Sequence, residues 1–273
     1  MDINDIKRFS GEKKIPVGII EKDYVLSIML SLLANCNIRD KLIFKGGTAI
    51  KKMYFSDARF SIDLDFNFNE ISIDSIKREI VDLIQSNAFD AVEFVKIKNE
   101  FESKKKDVYR CMIEYKGPIK HTLNQSVRLD FNSRESLFMN IQEKRLMDMY
   151  GSEMMHVTVP TMNLAEIFAE KCKALITRKE QKSKDLFDIH FLLNKNVDVD
   201  KVLIDKKLKS YRERFNEENF NHAVHNIESV WNRDLQDLIT NGNIPDINQV
   251  KSFVHDMLCK TTFISSNNGS VKP

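Results

Sequence analysis

Residues Phe60 to Phe68 alternate apolar and polar without a break, and no other stretch constrains the fold as tightly. Phe60, Ile62, Leu64, Phe66 and Phe68 fall on one side; Ser61, Asp63, Asp65 and Asn67 fall on the other. A period of two is the pattern of a β-strand with one buried face. Asp63 and Asp65 therefore leave the strand on the same side. Two carboxylates that close repel, and a divalent cation that prefers hard oxygen ligands, Mg²⁺ or Mn²⁺, would neutralise them. The wet face of an ordinary amphipathic strand accounts for the pair equally well.

Other segments carry related chemistry. Val127-Arg128-Leu129-Asp130-Phe131 repeats the alternation, so Arg128 and Asp130 share a polar face. A third carboxylate on a neighbouring strand would complete a two-metal site for phosphoryl transfer. The short strand 42–45 runs into Gly46-Gly47-Thr48 and then a helix. Glycines there let backbone N–H groups approach a ligand, and a helix start favours an anion. Thr48 would act as N-cap or phosphate ligand; a plain turn is the competing reading. On a predicted helix over 163–178, Lys171 lies inside the apolar arc between Ile167 and Leu175, and Arg178 falls in line with it. Glu166, Glu170 and Lys173 are expected on the solvent face of that helix. An inward lysine must snorkel, pair or meet an anion such as a polyphosphate. Asp185 sits among apolar residues of the next helix, 184–193, with Asp188 at the edge of the same arc. Asp185 could partner Lys171, and a purely structural pair between two helices is also open.

The N-terminal half mixes strands and helices: a buried helix over 19–34, a helix over 72–86, and strand-like runs at 91–101, 108–117 and 126–131, with one more near 155–159. The rest reads as helices, at 163–178, 184–193, 216–240 and 247–260, with another near 200–212. The expected fold class is α+β, divided as an α/β domain over 1–150, a helical domain over 151–264 and a disordered tail over 265–273. Eight glycines and five prolines in 273 residues are too few for the turns of an all-β sandwich. The 42 basic and 40 acidic residues nearly balance, which excludes a polybasic nucleic-acid coat but allows a local basic groove. The run Lys104-Lys105-Lys106 reads as a solvated loop, and His222 and His225 lack partners for a zinc set. Four widely spaced cysteines, no secretory signal and no apolar stretch of membrane-spanning length predict a cytoplasmic protein with no membrane association.

Several of these segments together resemble the AbiEii/AbiGii toxin family, nucleotidyltransferases of the DNA polymerase β-like superfamily. The resemblance rests on Phe44-Lys45-Gly46-Gly47-Thr48-Ala49-Ile50 and on Arg59-Phe60-Ser61-Ile62-Asp63-Leu64-Asp65. Glu21-Lys22-Asp23-Tyr24, expected just before the first helix, also matches, as do Ala165 to Lys171 and Lys184 to Ile189. Ile62, Val25 and Lys184 stand where the family often has Glu, Trp and Arg, and none of these changes removes a carboxylate.

The resemblance implies a minimal nucleotidyltransferase fold, a short mixed sheet with helices, followed by a helical domain. It assigns Mg²⁺ to Asp63 and Asp65 with Asp130 as the third carboxylate. Nucleotide phosphates would go to Gly46, Gly47 and Thr48, and the triphosphate to Lys171 supported by Asp185, with Arg178 in reach. It implies a toxin of a toxin–antitoxin or phage-abortive system, neutralised by a co-encoded antitoxin. The implied reaction takes a nucleoside triphosphate and adds nucleotides to an RNA, expected to be the 3′ end of tRNA. Nucleotidylation of a small molecule or protein, or nucleotide binding without turnover, are the alternatives.

Overall fold

A computed structural model describes residues 1–85, 89, 91–147, 149–151 and 156–260. The expected tail over 265–273 and the start of the strand placed at 155–159 lie outside the described residues. The described residues divide into two compact units, Met1–Phe168 with Asn232–Ile244, and Ala169–Trp231 with the segment from Pro245 on.

The first unit is built on a mixed sheet. Its strands are β1 (Leu42–Lys45), β2 (Asp63–Phe68), β3 (Glu93–Glu102), β4 (Val108–Lys116), β5 (Gln125–Asn132), β6 (Gln142–Arg145) and β7 (Thr158–Thr161). They lie in the order β3-β4-β5-β2-β1-β7-β6. β2 pairs with β5 in parallel and with β1 antiparallel. The alternation in β2 and β5 buries Leu64, Phe66, Leu129 and Phe131 as expected, but Asn67 on the polar side is also buried, at 3% exposure. Its Nδ2 donates to the Glu135 carbonyl at 3.1 Å, while its Oδ1 is buried with no hydrogen-bond partner among the described residues. The strand β6, Gln-Glu-Lys-Arg, has no apolar pattern and forms one edge of the sheet. The other edge is β3, whose pairing with β4 shifts register twice, between Phe94 and Lys96 and between Lys98 and Phe101.

A row of rings crosses the buried side. Phe44 and Phe66 have centroids 5.3 Å apart, Phe66 and Phe131 5.4 Å, and Tyr109 and Phe131 6.0 Å. These residues occupy one rung of β1, β2, β5 and β4. A one-residue slip of any strand would turn its ring to water, so the row fixes register across four strands.

The helices of this unit begin with α1 (Ile3–Lys13), which sequence periodicity does not reveal; its start is a capping box formed by Asp2 and Asp5. Next come α2 (Val17–Ala34), the short α3 (Gly46–Ala49), continued by a π-helical turn Ile50–Tyr54, and α4 (Ile73–Gln85). Glu21 to Tyr24 lies inside α2, not ahead of the first helix. The reason is visible in its contacts: Glu21 and Asp23 are buried carboxylates, at 1% and 0% exposure, that tie α2 to distant segments. Glu21 accepts from the Ile119 N–H at 2.7 Å and contacts the His121 ring at 2.7 Å. Asp23 Oδ2 meets Lys52 Nζ at 2.9 Å and accepts from the Tyr150 hydroxyl at 2.5 Å. Lys52 also donates to Ser27 Oγ at 2.7 Å.

Lys51, the next buried cation, donates to the carbonyls of Ser56 and Ala58, both at 3.0 Å, and its ammonium lies 4.0 Å from the Phe60 ring centre. Burial lowers its pKa from 10.5 to about 8, against the opposing pull of Asp23. A lysine depressed in the fold binds its proton less readily there than in the unfolded chain. The cost of burying its charge is therefore present below pH 8 and is relieved as pH rises from about 8 to about 10.5. The stability of wild type relative to Lys51→Met should thus rise by about 3 kcal/mol across that window. Denaturant unfolding of both proteins between pH 7 and 10.5 measures it; a difference that stays flat with pH refutes the account.

The second helical set is α5 (Leu164–Thr177), α6 (Ser183–Asn194), α7 (Lys201–Lys209), α8 (Glu217–Glu228), α9 (Trp231–Leu235) and α10 (Ile247–His255), with a π-helical turn Asp256–Lys260. The single helix expected over 216–240 is broken at Ser229–Val230, and Trp231 turns its ring N–H to the Pro245 carbonyl at 2.9 Å. A buried indole needs that partner. The expected wet face of α5 is also corrected. Glu166 is 0% exposed and accepts the backbone N–H groups of Phe138 and Met139. Lys173 is buried with its ammonium 5.8 Å from the Tyr211 ring centre, and Glu170 meets Lys207 at 3.1 Å. Periodicity assumes one wet face; here polar side chains on that face find partners inside the protein.

Among the described residues no helix is long and apolar enough to cross a membrane. All four cysteines are free. Burial pushes the Cys36 thiol up to about 11 and the Cys111 thiol up to about 12, so neither is a ready nucleophile.

Candidate active site

One rung along from the aromatic row, the register sets Lys45, Asp65, Asp130 and Arg110 side by side on β1, β2, β5 and β4. Asp65 lies directly opposite Asp130, and Asp63 directly opposite Arg128. The three expected carboxylates thus occupy the same side of two adjacent strands.

Two arginines balance them. Arg128 Nη2 meets Asp63 Oδ2 at 2.5 Å, and its Nε lies 3.7 Å from Asp130 Oδ2. Arg110 grips Asp130 with Nε at 2.7 Å and Nη2 at 3.3 Å. That hydrogen bond raises the Arg110 pKa, and the charges of Asp65 and Asp63 add to it. Ser61 Oγ donates to Asp63 Oδ1 at 3.1 Å. Sequence placed Arg128 on this face; Arg110 was missed, because its role follows from the β4–β5 register and not from local spacing. Among the described residues, no three acidic, histidine or cysteine side chains converge as a ready cage for a metal ion. The donor set nevertheless suits a hard divalent cation: its candidate ligands are carboxylate oxygens, on a side where positive charge is already drawn in.

The glycine turn stands against this face. Gly46 has a φ of +83°, and a Cβ there would lie 2.5 Å from Asp65 Oδ2. Only glycine allows this backbone to pass so close to the carboxylate. Lys45 is the N-cap of α3, so Thr48 is not the cap. Thr48 is fully buried, and its hydroxyl donates to the Asp63 carbonyl at 2.5 Å, tying the turn to β2.

In the second unit, Lys171 meets Asp185 at 3.1 Å and Asp188 at 2.8 Å, and Arg178 meets Asp185 at 3.0 Å. Asp185 and Asp188 are buried, at 2% and 3% exposure. The expected pairing of Lys171 with Asp185 is present, and Asp188 shares it equally. Lys171 on α5 and Arg178, the residue just past its end, converge on Asp185.

The model of the family described as nucleotidyl transferase AbiEii toxin, type IV toxin–antitoxin system, matches residues 27–252. The chain belongs to the AbiEii nucleotidyltransferase toxin family. Its glycine turn, paired strand carboxylates and lysine helix all lie within the matched segment. Among solved structures, the chain is similar in fold to MenT4, a nucleotidyltransferase toxin from Mycobacterium tuberculosis H37Rv. The two are 17% identical with a TM-score of 0.64, over 94% of this chain and 88% of that one. No match is found among curated proteins. The chain is a nucleotidyltransferase of this toxin family, with a mixed α/β fold.

Proposed function

We propose that this enzyme moves a nucleoside monophosphate from a nucleoside triphosphate to the 3′ end of tRNA in a Mg²⁺-dependent reaction, and that a co-encoded antitoxin restrains it in the cytoplasm. The observation that carries the proposal is the placement of Asp63, Asp65 and Asp130 on one side of paired strands, beside a glycine turn. Family membership supports the transfer chemistry. Mg²⁺, or Mn²⁺, held by Asp63 and Asp65 with Asp130, would supply the charge that neutralises the phosphates as they react.

In the reaction, an acceptor hydroxyl oxygen bonds to the α-phosphorus, the bond to the β-phosphate oxygen breaks, and pyrophosphate leaves. Asp130 is the proposed acceptor of the hydroxyl proton, because its looser contact with Arg110, at 3.3 Å, is the one most easily given up. Arg128 is a half-exposed counter-cation that holds the Asp63 carboxylate in place. Gly46 and Gly47 keep the turn bare of side chains for the nucleotide's phosphates, and Thr48 braces that turn from behind. Lys171 and Arg178, oriented by Asp185 and Asp188, are the cations assigned to the triphosphate.

Incubation with each α-labelled nucleoside triphosphate, Mg²⁺ and total tRNA tests the reading. Label should enter RNA with one nucleotide preferred and be removed by RNase. Label found on protein or a small acceptor instead, with none in RNA, overturns the tRNA assignment.

A further inference from the structure

A concavity of about 600 Å³ opens beside α7 in the second unit. Its lining includes Lys206, Lys209, Arg212 and Arg214 against two carboxylates, Asp205 and Glu213. Among the described residues, the side chains of Lys209, Arg212 and Arg214 take no ion-pair partner. Lys171, Lys207, Arg110 and Arg128, by contrast, all meet carboxylates. Glu213, the nearest acid in sequence, is engaged by the Asn219 amide at 3.1 Å.

Three cations left together repel one another, and an anion is what relieves them. Lys206 and Lys209 lie one helical turn apart, and the arginines continue past the end of α7, so the charge forms a stripe. Arg212 holds a left-handed backbone, with φ 58°, which non-glycine residues adopt at a cost. Val202, in the lining, is 64% exposed; Tyr211, next to Arg212 in the chain, is 47% exposed with its ring centre 5.8 Å from the Lys173 ammonium. An open stripe of cations with an exposed aromatic ring is the chemistry that tracks a nucleic-acid backbone and stacks a base. A free nucleotide would call for enclosure instead.

We infer that this groove binds a single strand of RNA by its phosphates, with Tyr211 offered to a base. The choice of RNA rests on the transfer reading above; the charge argument stands apart from it.

The test uses the full chain and a fluorescein-labelled single-stranded RNA of about 20 nucleotides, read by anisotropy at several salt concentrations. The triple variant Lys209→Gln/Arg212→Gln/Arg214→Gln alters exposed positions and should melt like wild type. It should bind at least tenfold more weakly, with a salt slope smaller by roughly two to three. Tyr211→Ala should weaken binding with the slope unchanged. Unchanged affinity and slope in the triple variant overturn the groove. Displacement of the RNA by an equal phosphate concentration of tripolyphosphate overturns it too, in favour of a small anion. If the groove binds RNA yet label never enters RNA, the transfer reading falls and the groove stands. If the triple variant labels RNA with wild-type KM and binds it normally, the groove falls and the transfer reading stands.

Discussion

Asp65→Asn should lower nucleotide transfer by at least about 10³-fold while leaving the unfolding midpoint within a degree or two of wild type. Asp65 shares its rung with Asp130 and faces the backbone of Gly46. The amide keeps the shape of the side chain, so the close approach of the Gly46 backbone is preserved. What goes is a negative charge on the side where the phosphates react. Asp63→Asn should fall as far in activity but cost a little stability, because Arg128 then loses its closest carboxylate. For a pair that is about a fifth to a third exposed, that cost is on the order of 1 kcal/mol. Rates with the preferred nucleotide and thermal unfolding of both variants decide it. Near-normal transfer by either one would remove the carboxylates from the chemistry.

The largest stability effect is expected at Lys52. Its ammonium and Asp23 are 1% and 0% exposed, and they meet at 2.9 Å. Lys52→Met would strand the Asp23 carboxylate, whose Oδ1 already has no hydrogen-bond partner among the described residues. Breaking one side of such a pair costs about 3–5 kcal/mol. That corresponds to a fall of roughly 10 °C in the melting temperature for a chain of this size. Asp23→Asn/Lys52→Met removes both charges and should recover part of the loss. A double variant that is no better than Lys52→Met would show that packing, not the stranded charge, sets the cost.

What could be read from the residues follows their surroundings. β2 and β5 have one buried and one solvated face, so their alternation was plain, and with it the shared side of Asp63, Asp65 and Asp130. β6 makes its place through backbone pairing with β7, and its four polar residues carry no pattern at all. α1 buries one residue, Ile6, so its periodicity was too weak to see; the Asp2 and Asp5 cap was the available sign. On α5 the pattern misled, because Glu166 and Glu170 meet polar partners and Lys173 faces the Tyr211 ring where water was assumed. Arg110 needed the register of a hairpin, which no local motif encodes. Asp188 sat at the edge of an apolar arc and proved as close to Lys171 as Asp185 is.

Both margins of the sheet are poor templates. β6 offers four residues, all polar, and β3 carries lysines and glutamates along its length and breaks step with its neighbour twice. A strand from another chain would find no run of straight, evenly spaced backbone donors and acceptors to zip against. A protein that recognises this unit must therefore read its side chains and helix surfaces, and copies of the chain crowded together have no easy way to grow the sheet from one molecule into the next.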